Sequence, residues 1–388
     1  MTEDLKKWVY PPIAIFVFAL AVYSITLFNG FVADDHDMIK NNARVHSLSN
    51  VPGMFASGVW DGTPFAEKIL IYRPFGMAGF ALDWSLWGGR PSGFHLGNVI
   101  INAFCCALVY ILALQLLGTP LPAFLSALVF AVLPSHVEAV AWIGSRFDLL
   151  SCLFMLGALI AFHASRRAER KKGLLAAVSL ICFALALPSK ENAVVLPLIL
   201  ILYKLWLDKK SSWNGYAPFF VILAVYLVVR YAALGAFSSF EQTEQSVARP
   251  FVSRIATVFK LLSYYMKMLF VPDLSLNHND FLSGFLDTWT GTGMALTALA
   301  VGTIAAGFRK KTAAVPALAV AVFCAGLLPV SGIVPFGRVL ADRYLYFPSV
   351  GLALAIAWAL CEMRNRKHLY AASLSAVIIV SVIYTAFA

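Results

Sequence analysis

Three carboxylates and a histidine follow at once where the first apolar run of the chain ends: Asp34, Asp35, His36 and Asp37. A carboxylate is costly in hydrocarbon, so this cluster is expected in water or in a protein cavity just outside a bilayer. Two adjacent acids in such a place can supply a general base. The alternative is a solvated acidic stop that only ends a helix.

The composition predicts an integral membrane protein. The chain has 388 residues, of which 60% are hydrophobic and 13% charged, whereas soluble proteins carry about 25% charged residues. The net charge of +10 is carried by basic residues clustered in short loops between apolar runs, as in cytoplasmic loops of membrane proteins. We therefore expect no nucleic-acid partner. The six cysteines lie in apolar runs without metal-ligand spacing, so no disulfide framework is expected.

Hydropathy predicts an all-α, polytopic membrane protein with one domain over residues 1–388 and about eleven spans, since a span needs about 20 apolar residues. The predicted spans cover residues 11–31, 94–117, 121–134, 148–162, 174–187, 193–207, 218–234, 289–307, 313–330, 344–361 and 369–388.

The basic loops orient these spans. Lys6 and Lys7 precede the first span, and the strongest basic run covers residues 166–172, so the N-terminus is expected in the cytoplasm. If residues 251–271 crossed the membrane, two later basic loops would fall outside, so this segment is expected to be an interfacial helix on the outer side. Residues 34–93 then form a large first extracytoplasmic loop of amphipathic helices on the membrane, and residues 237–286 a second extracytoplasmic segment.

With this threading, the polar clusters beside apolar runs fall on the outer side, which indicates an external site. A transporter would place some of them near the midplane. Arg73 precedes a proline in one cluster, and Arg338 and Arg343 lie at the predicted start of the tenth span. Guanidinium groups bind phosphate in bidentate fashion, and a helix N-terminus adds free N–H groups. The alternatives are a surface arginine at a turn and a snorkelling pair with Asp342 as counter-ion.

A second polar stretch joins the third and fourth spans. His136, Glu138, Arg146 and Asp148 are expected within one tight external turn, either as an ion-pair network or with Arg146 facing an anion. Lys190 and Glu191 follow in a short connection, where they would neutralise each other or line a site. Because the sequence has no Gly-rich phosphate loop and no GxSxG elbow, a phosphate site at the outer face suggests a lipid-linked phosphate rather than a nucleotide.

The order of these motifs resembles the membrane half of the transmembrane and tetratricopeptide-repeat O-mannosyltransferases, which are GT-C glycosyltransferases and relatives of the protein O-mannosyltransferases. The motifs that carry the resemblance are Asp34-Asp35, Tyr72-Arg73-Pro74, Gly93-Phe94-His95-Leu96-Gly97-Asn98, Pro134-Ser135-His136-Val137-Glu138, Ser145-Arg146-Phe147-Asp148, Ser189-Lys190-Glu191 and Asp342-Arg343-Tyr344-Leu345-Tyr346. No tetratricopeptide-like repeat occurs in this sequence, which leaves the acceptor open.

The resemblance implies a polyprenyl-phosphate-linked sugar as donor and inversion at the anomeric carbon. It implies that Asp34 or Asp35 is the catalytic base and that the other orients a substrate. Arg343 with Arg338 would bind the donor phosphate, and Arg146 and Arg73 are further candidates. The residues expected to line the acceptor or sugar are Tyr72, His136, Glu138, Lys190, Glu191, Asp342 and Tyr344. A divalent metal (Mg or Mn) is left open, with Asp34, Asp35 and Glu138 as ligands if one is used.

We therefore expect a glycosyltransferase of the bacterial cytoplasmic (inner) membrane that acts on its extracytoplasmic face. The transferred sugar is expected to be a hexose such as mannose. The acceptor would be a protein Ser/Thr hydroxyl, a glycan or a lipid, and the bilayer itself is a partner. Rival hypotheses are a ligase that uses a polyprenyl-diphosphate donor, a lipid-linked sugar flippase or transporter, and a scaffold subunit.

Overall fold

The computed structural model describes residues 3–236, 251–271, 287–333 and 340–364, and residues 366, 368, 371–373, 375–376 and 379 beyond them. Arg338, the segment 237–250 and most of the predicted eleventh span lie outside the described residues. The regular secondary structure of the described residues is helical, with no strand among them, which confirms the all-α prediction. The longer helices are α1 Glu3–Tyr23, α2 Pro74–Trp87, α3 Pro91–Leu117, α4 Pro120–Val132, α5 Arg146–Arg167, α6 Lys172–Ala186, α7 Leu196–Leu207, α8 Ala217–Leu234, α9 Phe251–Met268, α10 Thr288–Arg309, α11 Ala314–Leu327 and α12 Pro348–Met363.

Prolines and glycines set several helix ends. Pro91 and Pro120 each open a helix, where the missing N–H costs nothing because that group has no intrahelical partner. Gly118, with φ of 71°, ends α3 in the left-handed conformation, which glycine adopts without steric penalty. These signals explain why the predicted boundaries of the second and third spans are close to the observed ones.

Six helices in the described residues are long and apolar enough to cross a membrane, or seven if one bent pair is a single span. The bent pair is α4 and the short stretch Pro134–Ala141, which meet at 55°. Two shorter apolar helices, α6 and α12, accompany them. The multi-pass architecture is thus confirmed, while the count of eleven spans stays a prediction.

The predicted start of the tenth span is wrong. The tenth span was expected to begin near Tyr344, but α12 begins at Pro348, and Asp342–Leu345 forms a separate 3₁₀ turn before it. A proline fits the first turn of a helix, whereas in the interior of a helix starting at Tyr344 it would remove a backbone hydrogen bond. Arg343 therefore lies on a turn and not at the N-terminus of the long helix.

The first external loop has a core of its own. Met38, Trp60, Met77 and Phe80 are buried against one another and against Phe147, the second residue of α5. A separate, larger apolar core joins α1, α3, α4 and α5 to the later helices. The loop is therefore a compact cap fixed to the start of α5, which gives residues of the cap defined positions over the bundle.

The predicted interfacial segment forms α9, which lies along α10. The two backbones approach so closely that a Cβ added at Gly293 would lie 1.9 Å from the carbonyl oxygen of Phe259. Lys260, buried on α9, forms an ion pair at 2.7 Å with Asp287, the N-cap of α10. Tyr265 and Leu261 of α9 belong to the same buried cluster as Tyr344, so this hairpin supports the 3₁₀ turn that carries Arg343.

Candidate active site

A cavity of about 200 Å³ lies between the cap and the bundle. Asp34 and Arg73 of the cap line this cavity together with Lys190 and Arg343, which come from two other segments of the chain. Asp148 also lines it. Aromatic side chains complete the wall: Trp60, Trp142, Phe147 and Tyr344.

Asp34 and Asp35 point to different surroundings. Asp35 is fully buried, and its two carboxylate oxygens accept hydrogen bonds from the backbone N–H groups of Val32 at 3.1 Å and Gly144 at 2.9 Å. Burial raises the pKa of Asp35 to about 6, although these two N–H groups oppose the shift. Asp34 is exposed and lines the cavity. Asp35 thus fixes the turn, and Asp34 is the acid of this pair that lines the cavity.

Arg343 is held by a carboxylate and two aromatic rings. Its guanidinium and its backbone N–H both donate to Glu138, the backbone bond being 3.0 Å long. The rings of Trp142 and Tyr344 lie 4.7 and 5.1 Å from the guanidinium carbon. Burial lowers the pKa of Arg343, but Tyr344 and Glu138 outweigh burial and raise it. The cation is therefore fixed in one orientation at the cavity wall.

Arg73 forms a bidentate ion pair with Glu191. Its Nε and Nη2 donate to the two carboxylate oxygens at 2.9 and 2.5 Å, and its guanidinium carbon lies 5.1 Å from the Phe147 ring centre. Burial raises the pKa of Glu191, but the charges of Arg73 and Lys190 and the hydrogen bonds from Arg73 prevail and lower it to about 2. This pair ties the cap to the connection between α6 and α7.

Lys190 pairs with Asp148 and not with its neighbour Glu191. Its Nζ donates to Oδ1 of Asp148 at 2.5 Å and lies 5.2 Å from the Tyr344 ring centre. Burial lowers the pKa of Lys190, and the charge of Asp148 opposes this shift. The positive charges of Arg73 and Arg343 lower the pKa further, so that it lies below its ordinary value. Each of the three cavity cations thus has its own carboxylate, so a phosphate that enters must share or displace one of them.

Four residues expected at the site face elsewhere or stand behind it. Arg146 is buried, where it pairs with Asp83 and donates to the Asn98 side chain at 2.8 Å. Tyr72 donates its hydroxyl to the carbonyl oxygen of Phe55 at 2.8 Å. The remaining two are His136, whose Nε2 lies 2.8 Å from the Ser349 hydroxyl, and Asp342, which opens the turn of Arg343.

The sequence analysis did not identify Asp83, the partner of Arg146. It is one ionisable residue in the otherwise apolar helix α2, and it forms the buried ion pair with Arg146. A charge inside an apolar helix is costly unless it is paired, so its position already signalled a partner. The aromatic wall carried no such signal, because Trp60 and Trp142 read as ordinary interfacial aromatics.

The carboxylates do not form the metal site considered from the sequence. Among the described residues, no three His, Cys, Asp or Glu side chains gather as metal ligands. Both oxygens of Asp35 accept backbone N–H groups, and both oxygens of Glu138 accept hydrogen bonds from Arg343. Only Asp34 of the three proposed ligands faces the cavity, so the set does not fit a divalent cation.

The fold is that of the GT-C glycosyltransferases. The archaeal oligosaccharyltransferase AglB from Archaeoglobus fulgidus, in complex with an inhibitory peptide and a dolichol-phosphate, superimposes with a TM-score of 0.55 at 11% identity over 97% of this chain and 55% of that one. The apo form of the Archaeoglobus fulgidus enzyme gives 0.53 at 14% identity, over 97% and 56% of the two chains.

In sequence, the chain is similar to protein O-mannosyl-transferase TMTC3. The mouse protein is 24% identical over 391 residues, which covers 90% of this chain and 42% of the relative. The human protein is 24% identical and covers 87% and 41%. No family model matches the chain. These similarities confirm the resemblance drawn from the motifs, and the chain spans less than half the length of these relatives.

Proposed function

We propose that this protein is a membrane glycosyltransferase that moves one sugar from a polyprenyl-phosphate donor to an acceptor hydroxyl, with inversion. The observation that carries the proposal is the cavity that Asp34 lines together with the three cations Arg73, Lys190 and Arg343, while Asp148, the second acid in its wall, is paired with Lys190. An acid opposite a set of cations supplies the two functions that such a transfer needs: a base for the acceptor and compensation of charge on the leaving phosphate.

In this mechanism Asp34 accepts the proton of the acceptor hydroxyl. The acceptor oxygen attacks the anomeric carbon from the face opposite the phosphate, and the bond between that carbon and the phosphate oxygen breaks. The electron pair leaves with the phosphate, so the sugar changes its anomeric configuration. No covalent enzyme intermediate is needed, because one positioned base and one stabilised leaving group suffice.

Arg343 and Lys190 are the proposed partners of the leaving phosphate. Arg343 offers a planar guanidinium fixed between two rings, which suits bidentate contact with phosphate oxygens. Lys190 adds a point charge above the same Tyr344 ring. Arg73 is less available to the phosphate than these two cations, because it donates hydrogen bonds to both carboxylate oxygens of Glu191. We assign Arg146 a positioning role, because its bonds to Asp83 and Asn98 join α2, α3 and α5 behind the cavity.

The size of the cavity supports a monosaccharide. At about 200 Å³ it is smaller than the ~300–1,000 Å³ of pockets that bury drug-sized ligands. A single sugar ring fits such a space better than an oligosaccharide. The aromatic wall supplies flat apolar surface for a sugar face.

The similar proteins support the proposed donor class and acceptor. The similar proteins are named protein O-mannosyl-transferases, which supports a mannosyl or other hexosyl donor and a protein Ser/Thr hydroxyl as acceptor. The archaeal neighbour was solved with a dolichol-phosphate, which supports a polyprenyl carrier. We place the cavity on the extracytoplasmic face of a bacterial cytoplasmic membrane, with the N-terminus inside, because the exposed basic loops lie at the other end of the bundle.

Sugar transfer in proteoliposomes tests this function. Wild type, Asp34→Asn and Arg343→Ala are supplied with a radiolabelled polyprenyl-phosphate mannose and a membrane extract as acceptor source, and donor binding is measured in parallel. We expect Asp34→Asn to lower turnover by about 10²-fold or more while donor binding is kept. Arg343→Ala should lose donor binding.

Two exposed residues provide matched controls. Glu67→Gln removes an acid from the same cap, and Arg90→Ala removes an exposed arginine; both should transfer at the wild-type rate. Wild-type turnover by Asp34→Asn would rule out Asp34 as the base. Wild-type protein that moves label across the bilayer but never onto an acceptor would replace the transferase with a transporter.

A further inference from the structure

A second polar cluster lies at the far end of α5, at the opposite end of the bundle from the cavity. Arg166, in the last turn of α5, donates its Nε to Oδ2 of Asp208 at 2.7 Å. Asp208 follows α7 directly and begins the loop to α8. Helix α5 has 22 residues, so its two ends are about 30 Å apart. The candidate active site therefore does not account for this cluster.

Lys204 is the unusual member of the cluster. It is only 5% exposed, and its Nζ donates to the carbonyl oxygens of Asp208 and Lys209, both at 3.3 Å. Within the described ranges it forms no ion pair with a carboxylate. An ammonium has three N–H donors, so one donor of this buried cation remains for a ligand.

Arg166 brings further donors to the same place. The Tyr216 ring centre lies 5.9 Å from the guanidinium carbon of Arg166 and 6.0 Å from Nζ of Lys204. Asp208 occupies only Nε of Arg166, while its Oδ2 also accepts from Ser211 and Tyr216. Among the described residues, the two terminal nitrogens of Arg166 thus remain available beside Lys204, and the Asp208 carboxylate pairs with Arg166 alone.

The residues around Lys204 and Arg166 favour an anionic ligand that lies near a membrane surface. The adjoining loops expose further cations: Arg167, Arg170, Lys171, Lys172, Lys209 and Lys210. Trp213, half exposed, stacks 5.2 Å from Nζ of Lys204, and tryptophan beside basic residues is typical of the headgroup layer. An excess of positive charge on short loops at that depth attracts anionic lipids.

We propose that Lys204 and Arg166 form a phosphate-binding site whose ligand is the phosphate of an anionic phospholipid headgroup. Nζ of Lys204 and the terminal nitrogens of Arg166 donate to the phosphate oxygens. The exposed Lys209 and Lys210 form the rim of the site. This proposal does not depend on the reaction proposed for the cavity.

Lipid retention tests the site. Full-length protein is released from nanodiscs of mixed phosphatidylglycerol and phosphatidylcholine, and retained lipids are counted by native mass spectrometry. We expect wild type to retain phosphatidylglycerol preferentially, and Lys204→Met to lower that preference about tenfold, which corresponds to one lost charged contact. Lys204→Arg should restore it in part. Thermal unfolding in phosphatidylcholine alone verifies that each variant is folded.

A matched pair separates a defined site from general surface attraction. Lys310→Gln/Lys311→Gln removes two exposed charges from another basic loop and should keep the preference, whereas Lys209→Gln/Lys210→Gln should lower it. The second pair also decides the question if Lys204→Met does not fold. Equal loss in both pairs, or wild-type preference in Lys204→Met, would overturn the proposal. If millimolar inorganic phosphate stabilises wild type but not Lys204→Met, and phosphatidylglycerol is not preferred, the site binds soluble phosphate instead.

Discussion

The adjacent acids Asp34 and Asp35 have different surroundings, because Asp35 contacts a residue that is distant in sequence. The backbone N–H of Gly144, 109 positions from Asp35, donates to one of its carboxylate oxygens, and the N–H of Val32 donates to the other. Asp34, one residue earlier, is left at the cavity. The sequence predicts an acidic pair at an external site, but no local pattern tells which acid faces inward.

The buried carboxyl of Asp35 gives a pH dependence of stability. Since burial raises its pKa from 3.8 to about 6, the folded state favours the protonated form. The protonated Asp35 stabilises the folded state by at most about 3 kcal/mol. This contribution is fully present below the ordinary pKa of 3.8 and is lost as the pH rises through about 6. We expect the melting temperature of wild type to fall between pH 4 and pH 7.

Asp35→Asn serves as the comparison, because an amide of the same shape does not ionise. Its melting temperature should change less over the same pH range than that of wild type. Parallel curves for the two proteins would show that Asp35 does not titrate in this range and would contradict the assigned environment.

The two arginines next to polar motifs show the same limit of prediction. Arg146 and Arg343 both follow turns near acidic residues in sequence. Arg146 is buried because Asp83, on a helix of the cap, reaches it, whereas Arg343 pairs with Glu138 and lines the cavity. Partner choice depends on the tertiary arrangement of segments, which local sequence does not specify.

Among the helices, α3 was predicted well at both ends. The ends of α3 agree closely with the predicted span, because Pro91 and Gly118 act through local backbone geometry. The start of α12 was missed, since the apolar run from Tyr344 onward includes a 3₁₀ turn that hydropathy does not distinguish from helix. The cap was predicted as short helices, but its separate apolar core depends on contacts with Phe147.

Gly293 sets the distance between α9 and α10. A methyl group there would overlap the backbone of Phe259, so Gly293→Ala must push the helices apart, at a cost of about 2 kcal/mol. We expect a lower melting temperature in detergent and, because α9 supports the turn of Arg343, weaker donor binding.

Gly302→Ala on the same helix is the control. A Cβ at Gly302 meets nothing within 4 Å, and alanine is the better helix former by about 0.5–1 kcal/mol. Its stability should be unchanged or slightly higher. Equal effects of the two substitutions would mean that Gly293 is not a contact point between the helices.

On the scale of the whole molecule, the cavity and the basic loops lie at opposite ends of the bundle. Lys68 belongs to the cap and Lys171 to the loop that follows α5, and both are exposed. The proposed orientation therefore puts them on opposite sides of the membrane.

Single cysteines introduced at these positions test the orientation. With a membrane-impermeant thiol reagent on right-side-out vesicles, Lys68→Cys should be labelled at once and Lys171→Cys only after permeabilisation. Wild type measures the background from its native cysteines, which are buried or partly buried. Labelling in the reverse order would place the cavity in the cytoplasm and exclude an extracytoplasmic acceptor.

The ion pairs at the cavity also determine when the site is assembled during synthesis. Glu138 and Arg343 are separated by 205 positions in the sequence, and Arg73 and Glu191 by 118. In a nascent chain that ends before residue 343, Glu138 lacks its partner, the guanidinium of Arg343. Contacts between residues so far apart in sequence form late in folding. The reactive pocket therefore closes only after nearly all the membrane helices have been inserted, so a partly made chain has no complete site with which to consume the donor.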